Sequence, residues 1–103
     1  MSEERARKRW SLLKFESSCD GEQITRAKLL RIMSLAFEFN EIYKEDLVKL
    51  SAEFRKSFDG RNAITVNVWY ENDPISPDLI STFDAYSSGD ADRIIQIIES
   101  EVA

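Results

Sequence analysis

Residues 63–70, Ala63-Ile64-Thr65-Val66-Asn67-Val68-Trp69-Tyr70, alternate with a period of two. Ile64, Val66, Val68 and Tyr70 point one way and Thr65, Asn67 and Trp69 the other. β-Branched and aromatic residues in that pattern form a strand. A strand cannot stand alone, because its N–H and C=O groups would lie unpaired. The fold must therefore supply a neighbour. Within the chain it is either residues 9–15 or a meander that the pattern does not display. Outside it, the neighbour is the same strand of a second copy or an extended segment of a partner, and either would turn the strand into an interface.

The rest of the chain reads as helix. From Ile24 to Phe58 there is neither Gly nor Pro, and Leu29, Met33, Ala36, Phe39, Tyr43, Leu47, Leu50, Phe54 and Phe58 recur at spacings of three or four. One helix of that length would reach about 50 Å, too long for a domain of this size. The spacing therefore predicts a break near Asn40 and two helices, 24–39 and 43–58, or else one long helix paired with a second subunit. Asp59-Gly60 is read as the stop. Before this run, residues 3–16 are expected to be helical, with Ser2 as cap, Glu3 and Glu4 in the first turn and Ala6, Trp10 and Leu13 on one face. A short strand over 9–15 is the alternative, and the polar cluster 17–21 ends the element either way.

Beyond the strand, Ser76-Pro77-Asp78 reads as a helix start, with Leu79, Phe83 and Tyr86 facing inward up to Ser87. Gly89 breaks the chain, and a last helix from Asp90 is expected to bury Ile94, Ile95, Ile98 and Val102, with Ile97 flanking. The expectation is one α+β domain over 1–103, mostly helical. It has two central amphipathic helices, one clear strand and two short C-terminal helices.

Composition narrows the chemistry. The 103 residues contain no histidine, which removes Ser-His and Cys-His nucleophile pairs, an imidazole base and the common histidine-containing zinc sites. A single cysteine, Cys19, cannot close an internal disulfide and points to a reducing compartment. No apolar run approaches membrane-spanning length and no signal segment follows the basic start, so a cytoplasmic location is expected. Phosphate-cradling glycine motifs are absent. Asp84, Ser88, Gly89, Asp90 and Asp92 approach the spacing of a calcium loop. Tyr86 stands at its third position, however, and Ile95 at its twelfth, where a bidentate Glu is required. No cofactor, metal site or catalytic residue is assigned, and a non-enzymatic role is expected.

Charge is unevenly distributed. Against a net −5 overall, residues 1–61 carry 13 basic and 11 acidic side chains, whereas 62–103 carry 1 and 8, a net −7 over a core-forming stretch. Trp69, Tyr70, Glu71, Asp73, Asp78, Asp84, Asp90 and Asp92 are therefore candidates for contacting a basic protein partner. Small inhibitors of the immunity-protein or phage anti-defence kind share this physical character of small size, acidic charge and missing catalytic groups. The alternative starts from the other end of the chain. Arg5, Arg7, Lys8, Arg9 and Trp10 form a short basic cluster beside an aromatic, and so could contact nucleic acid from a homodimeric regulatory or scaffold protein joined through the long helices or the unpaired strand.

Overall fold

The missing neighbour of the alternating strand comes from within the chain, on both sides. The computed structural model describes residues 2–11 and 21–103. Among them six elements follow one another: α1 (Glu3–Ser11), α2 (Arg26–Ile42), β1 (Val48–Lys56), β2 (Asn62–Tyr70), β3 (Asp78–Ala85) and α3 (Ser88–Val102). The strands form an antiparallel meander in the order β1-β2-β3, with the alternating strand at its centre. Val48 stands opposite Tyr70 and Lys56 opposite Asn62 on one side of β2. On the other side Ile64 faces Ala85 and Tyr70 faces Asp78, with a register shift at Val68/Trp69.

Two expected helices are thus strands. Helix accounts for 44% and strand for 28% of the described residues, so the chain is not mostly helical with one strand, and 1–61 is not a purely helical half. The expected helix 43–58 fails because its apparent period mixed two faces. Leu47 is 42% exposed and Phe58 fully so, whereas Val48 and Leu50, two apart, are buried. Once β2 offers paired N–H and C=O groups, the alternation Val48, Leu50, Ala52, Phe54 prevails over helical propensity. Likewise Ser76-Pro77-Asp78 leads into β3, where Phe83 and Ala85 bury at a spacing of two. A proline just before an edge strand removes no ladder bond. Asp59-Gly60 closes a hairpin rather than a helix. The Ser57 and Gly60 N–H groups donate to Arg61 O and Ser57 O, and Gly60 takes φ +82°.

The remaining helices follow the expected faces in part, with shifted ends: Leu29, Ala36 and Phe39 of α2 are buried as expected, but Met33 and Tyr43 are exposed, and Ile32 and Leu35 are buried in their place. Thr25 caps α2 by accepting from Lys28 N–H, and α2 runs past Asn40 to Ile42 before the chain turns at Tyr43. Ser87 caps α3 through Asp90 N–H, so α3 starts before Asp90, at Ser88, and Ile94 and Ile98 are buried in it. α1 ends at Ser11; residues 12–16 of the expected first helix, the cluster up to Asp20 and Cys19 lie outside the described residues. Of the alternative strand over 9–15, Arg9 to Ser11 are helical and the rest lies outside the described residues; both sides of β2 are paired by β1 and β3.

All three helices lie on one face of the sheet. There Ile64, Val66, Val68 and Tyr70 pack with Val48, Leu50 and Phe83 against Ile32, Leu35 and Phe39 of α2, Ile94 and Ile98 of α3, and Ala6 and Trp10 of α1. The Trp10 ring meets Phe39 edge-on at 5.8 Å. Arg9 then fastens α1 to the end of α3 with a two-pronged bond to Glu101, 2.8 and 3.0 Å. Among the described residues no helix is long and apolar enough to cross a membrane.

Candidate functional site: the open face of the sheet

With the helices on one face, the outward side chains of β1, β2 and β3 form a second, open face that no described helix covers. Its rows follow from the register: Lys49, Trp69 and Leu79; Ser51, Asn67 and Thr82; Glu53, Thr65 and Asp84. Cross-strand hydrogen bonds hold these rows. Trp69 Nε1–H donates to Ser51 Oγ at 2.9 Å, Thr82 Oγ1–H to Asn67 Oδ1 at 2.9 Å, and Thr65 Oγ1–H to Asp84 Oδ1 at 2.6 Å. The Trp69 ring is thereby held half-buried on the surface.

The two ends of the face differ. At one end the Glu71 N–H donates to Leu47 O at 2.8 Å and continues the ladder past Trp69. Leu47 and Leu79 are 42% and 48% exposed there, Ile75 in the β2–β3 connection is 94% exposed, and Glu71 and Asp73 are exposed beside them. Asp73 shapes that connection by accepting from Ile75 N–H at 3.0 Å. This end is therefore an apolar centre with carboxylates on its rim and one cation in the Trp69 row, Lys49, whose ammonium donates to Tyr43 O and Lys44 O.

At the other end the cations are held within the fold. Arg55 lies 5.4 Å from the Tyr86 ring centroid and donates to its hydroxyl at 2.8 Å, with Asp84 3.8 Å away. Arg61 donates to Tyr86 O and Gly21 O, while Lys56, on the helix side of the sheet, donates to Asn62 Oδ1. An open cleft of about 470 Å³ between these side chains and Phe58 also contains Asp59. A hydrogen bond from Ser57 Oγ–H, then one from Arg61 N–H, holds the Asp59 carboxyl below its ordinary range.

Of the eight candidates for partner contact, the structure gathers Trp69, Glu71 and Asp73. Tyr70, one residue from Trp69, points into the core at 8% exposure. Asp78 pairs with Tyr70 on the helix side and lies 3.9 Å from Arg7. Asp84 is at the far end of the open face. Asp90 is buried at the start of α3, and Asp92 pairs with Lys28 at 2.8 Å. Sequence reading missed Leu47, Ile75 and Leu79, because the outward position of Leu47 and Leu79 exists only once their segments are strands.

The N-terminal cluster is likewise divided. Trp10, 1% exposed between Phe39 and Phe83, is a core residue and cannot stack on a base. Arg7 bonds Glu3 at 3.0 Å and Arg9 bonds Glu101, while Arg5 and Lys8 are exposed. Of the residues considered for a calcium loop, Asp84 lies in β3 and Ser88 to Asp92 form the first turns of α3. No family model matches the chain, and comparison with curated proteins and with solved structures returns no match.

Proposed function

We propose that this chain is a small non-enzymatic cytoplasmic protein that binds and blocks a basic protein partner through the acidic, tryptophan-bearing end of its open sheet face. One observation carries the reading: Trp69, tied to Ser51, sits among exposed Leu47 and Leu79 with Glu71 and Asp73 on the rim. An aromatic anchor with apolar neighbours supplies affinity once water is excluded. Carboxylates around it attract a cationic surface and orient it on approach. The net −5 of the whole chain adds a weaker long-range attraction to that of the patch. A chain without histidine, whose open face is occupied by cross-strand hydrogen bonds, suits obstruction better than proton transfer.

The test starts with affinity capture by the intact protein and identification of what co-purifies, followed by calorimetric titration of that partner. A basic partner is expected, with affinity falling about tenfold or more between low and physiological salt. The double variant Glu71→Lys/Asp73→Lys should weaken binding by about tenfold, and Trp69→Ala by roughly thirtyfold. Asp92→Asn, on α3, should change nothing. Binding that is indifferent to salt and to both variants would sink the proposal.

A further inference from the structure

β1 is an edge strand, and its outer edge is only partly closed. The Glu71 N–H bond to Leu47 O and the Ser57 N–H bond to Arg61 O show that the odd-numbered residues of β1 bond to β2. The N–H and C=O groups of Val48, Leu50, Ala52, Phe54 and Lys56 therefore point away from it. Asp46 Oδ1 accepts from Val48 N–H at 3.2 Å. The side-chain amide of Asn40 occupies both backbone groups of Leu50, donating to its C=O and accepting from its N–H, each at 2.8 Å. Beyond that cap, Ala52, Phe54 and Lys56 present backbone groups with no partner among the described residues.

The flank of α2 that carries Asn40 borders this edge. At 3.6 residues per turn, Met33, Phe37 and Leu30 lie about 20°, 60° and 80° around the helix from Asn40. All three are exposed, by 41%, 68% and 53%, and Phe54 on the same side of β1 is 48% exposed. An unpaired edge and an apolar helix flank thus run side by side.

We infer that this edge pairs with itself. Two copies of the chain join antiparallel through β1 about a two-fold axis at Phe54, making one six-stranded sheet. In that register Phe54 faces Phe54 of the second copy and Ala52 faces Lys56 of the second copy, each pair exchanging backbone hydrogen bonds. On the open face Glu53 meets Arg55 of the second copy, and Arg55 meets its Glu53. Charge selects the register. The two adjacent registers that keep both faces aligned centre on residue 53 or 55, and would oppose Glu53 to Glu53 or Arg55 to Arg55, which is unfavourable. The mixed charges of this edge, which would repel an arbitrary strand, are complementary to themselves.

Asn40 sets where pairing stops, at the residue before Ala52 in the ladder. Phe58, fully exposed in the isolated chain, then falls opposite the capped Leu50 of the second copy, beside the apolar flank of that copy's α2. Five paired residues bury less than the roughly 800 Å² per partner of a stable interface. Leu30, Met33, Phe37 and Phe58 supply the apolar remainder.

Sedimentation equilibrium on the full chain tests this. The expected mass is twice 11.9 kDa. Phe54→Lys should give the single-chain mass with an unchanged circular dichroism spectrum. Glu53→Arg and Arg55→Glu should each raise the dissociation constant about tenfold, and the double exchange E53R/R55E should return it to within about threefold of the starting value. Arg55 also touches Tyr86 and lies near Asp84 in its own chain, so recovery in the double variant is the diagnostic result. A monomer at every submillimolar concentration overturns the inference, as does a dimer whose two charge variants add instead of cancelling. If Phe54→Lys does not fold, the charge exchange at exposed positions still decides. Trp69→Ala should leave the dimer intact, so failure here is distinct from failure of the partner-binding proposal.

Discussion

Asn40 shows how much one side chain does in this fold. Sitting near the end of α2, it satisfies both backbone groups of Leu50 and ties the helix to the edge of β1 across ten residues of sequence. Each such bond contributes about 1 kcal/mol net, and an orphaned partner costs more. Asn40→Ala should therefore lower unfolding stability by roughly 2 kcal/mol in urea titration. Asn40→Asp should cost more than Asn40→Ala, since a carboxylate cannot donate to Leu50 O. Trp10 is the other large contributor at this scale. Its truncation to Ala removes the ring between Phe39 and Phe83 and should cost about 3–5 kcal/mol by the same assay. Asp59 offers a titration. Ser57 and the Arg61 N–H favour its ionised form, so the folded value lies below the reference of 3.8. The bonds are complete above 3.8 and are lost as pH falls through the lowered value. NMR titration of the Asp59 carboxyl should show the lowered value, and Ser57→Ala should move it back up.

Among the elements, α1 is the least self-sufficient. Nine residues are too few for a helix to hold itself in water, so its order depends on Trp10, Ala6 and the Arg9–Glu101 pair. In hydrogen exchange its amides should exchange fastest among the three helices, and Arg9→Ala should speed them further without altering α2 or β2. β2 sits at the opposite extreme. It is bonded on both sides and buried on one face, and its central amides, from Val66 to Val68, should exchange only on global unfolding. The helices are pinned mainly by their buried faces and first-turn caps. Ser87→Ala, which removes the acceptor for Asp90 N–H, should cost about 1 kcal/mol.

For the molecule as a whole, the arrangement separates tasks. One face of the sheet is buried under all three helices and carries the core, which leaves the other face free to display Trp69 and its acidic rim and leaves the β1 edge beside an uncovered flank of α2. The proposed partner capture and the proposed self-pairing therefore use different surfaces, and neither has to disturb the core. Charge follows the same division. The acids of 62–103 do not act as one patch: Asp78, Asp84 and Asp92 have basic side chains close by within the fold, at 3.9, 3.8 and 2.8 Å, which leaves Glu71 and Asp73 for the proposed recognition.

By itself the sequence determined the alternating strand and its two faces, the buried face of α2 through Leu29, Ala36 and Phe39, the C-terminal helix with Ile94 and Ile98, and a chemistry without imidazole. In each of these one period dominates, so local pattern is enough. The segments that became β1 and β3 were ambiguous. Around Leu50, Leu47 and Phe58 supported a helical period while Val48 and Ala52 supported alternation, and the choice was made by backbone pairing with β2, a contact between residues far apart in sequence. The candidate surface shared that fate. Trp69, Glu71 and Asp73 were legible as residues beside a strand, but their grouping with Leu47 and Leu79 exists only in the assembled sheet, because which way a side chain faces depends on what its backbone pairs with.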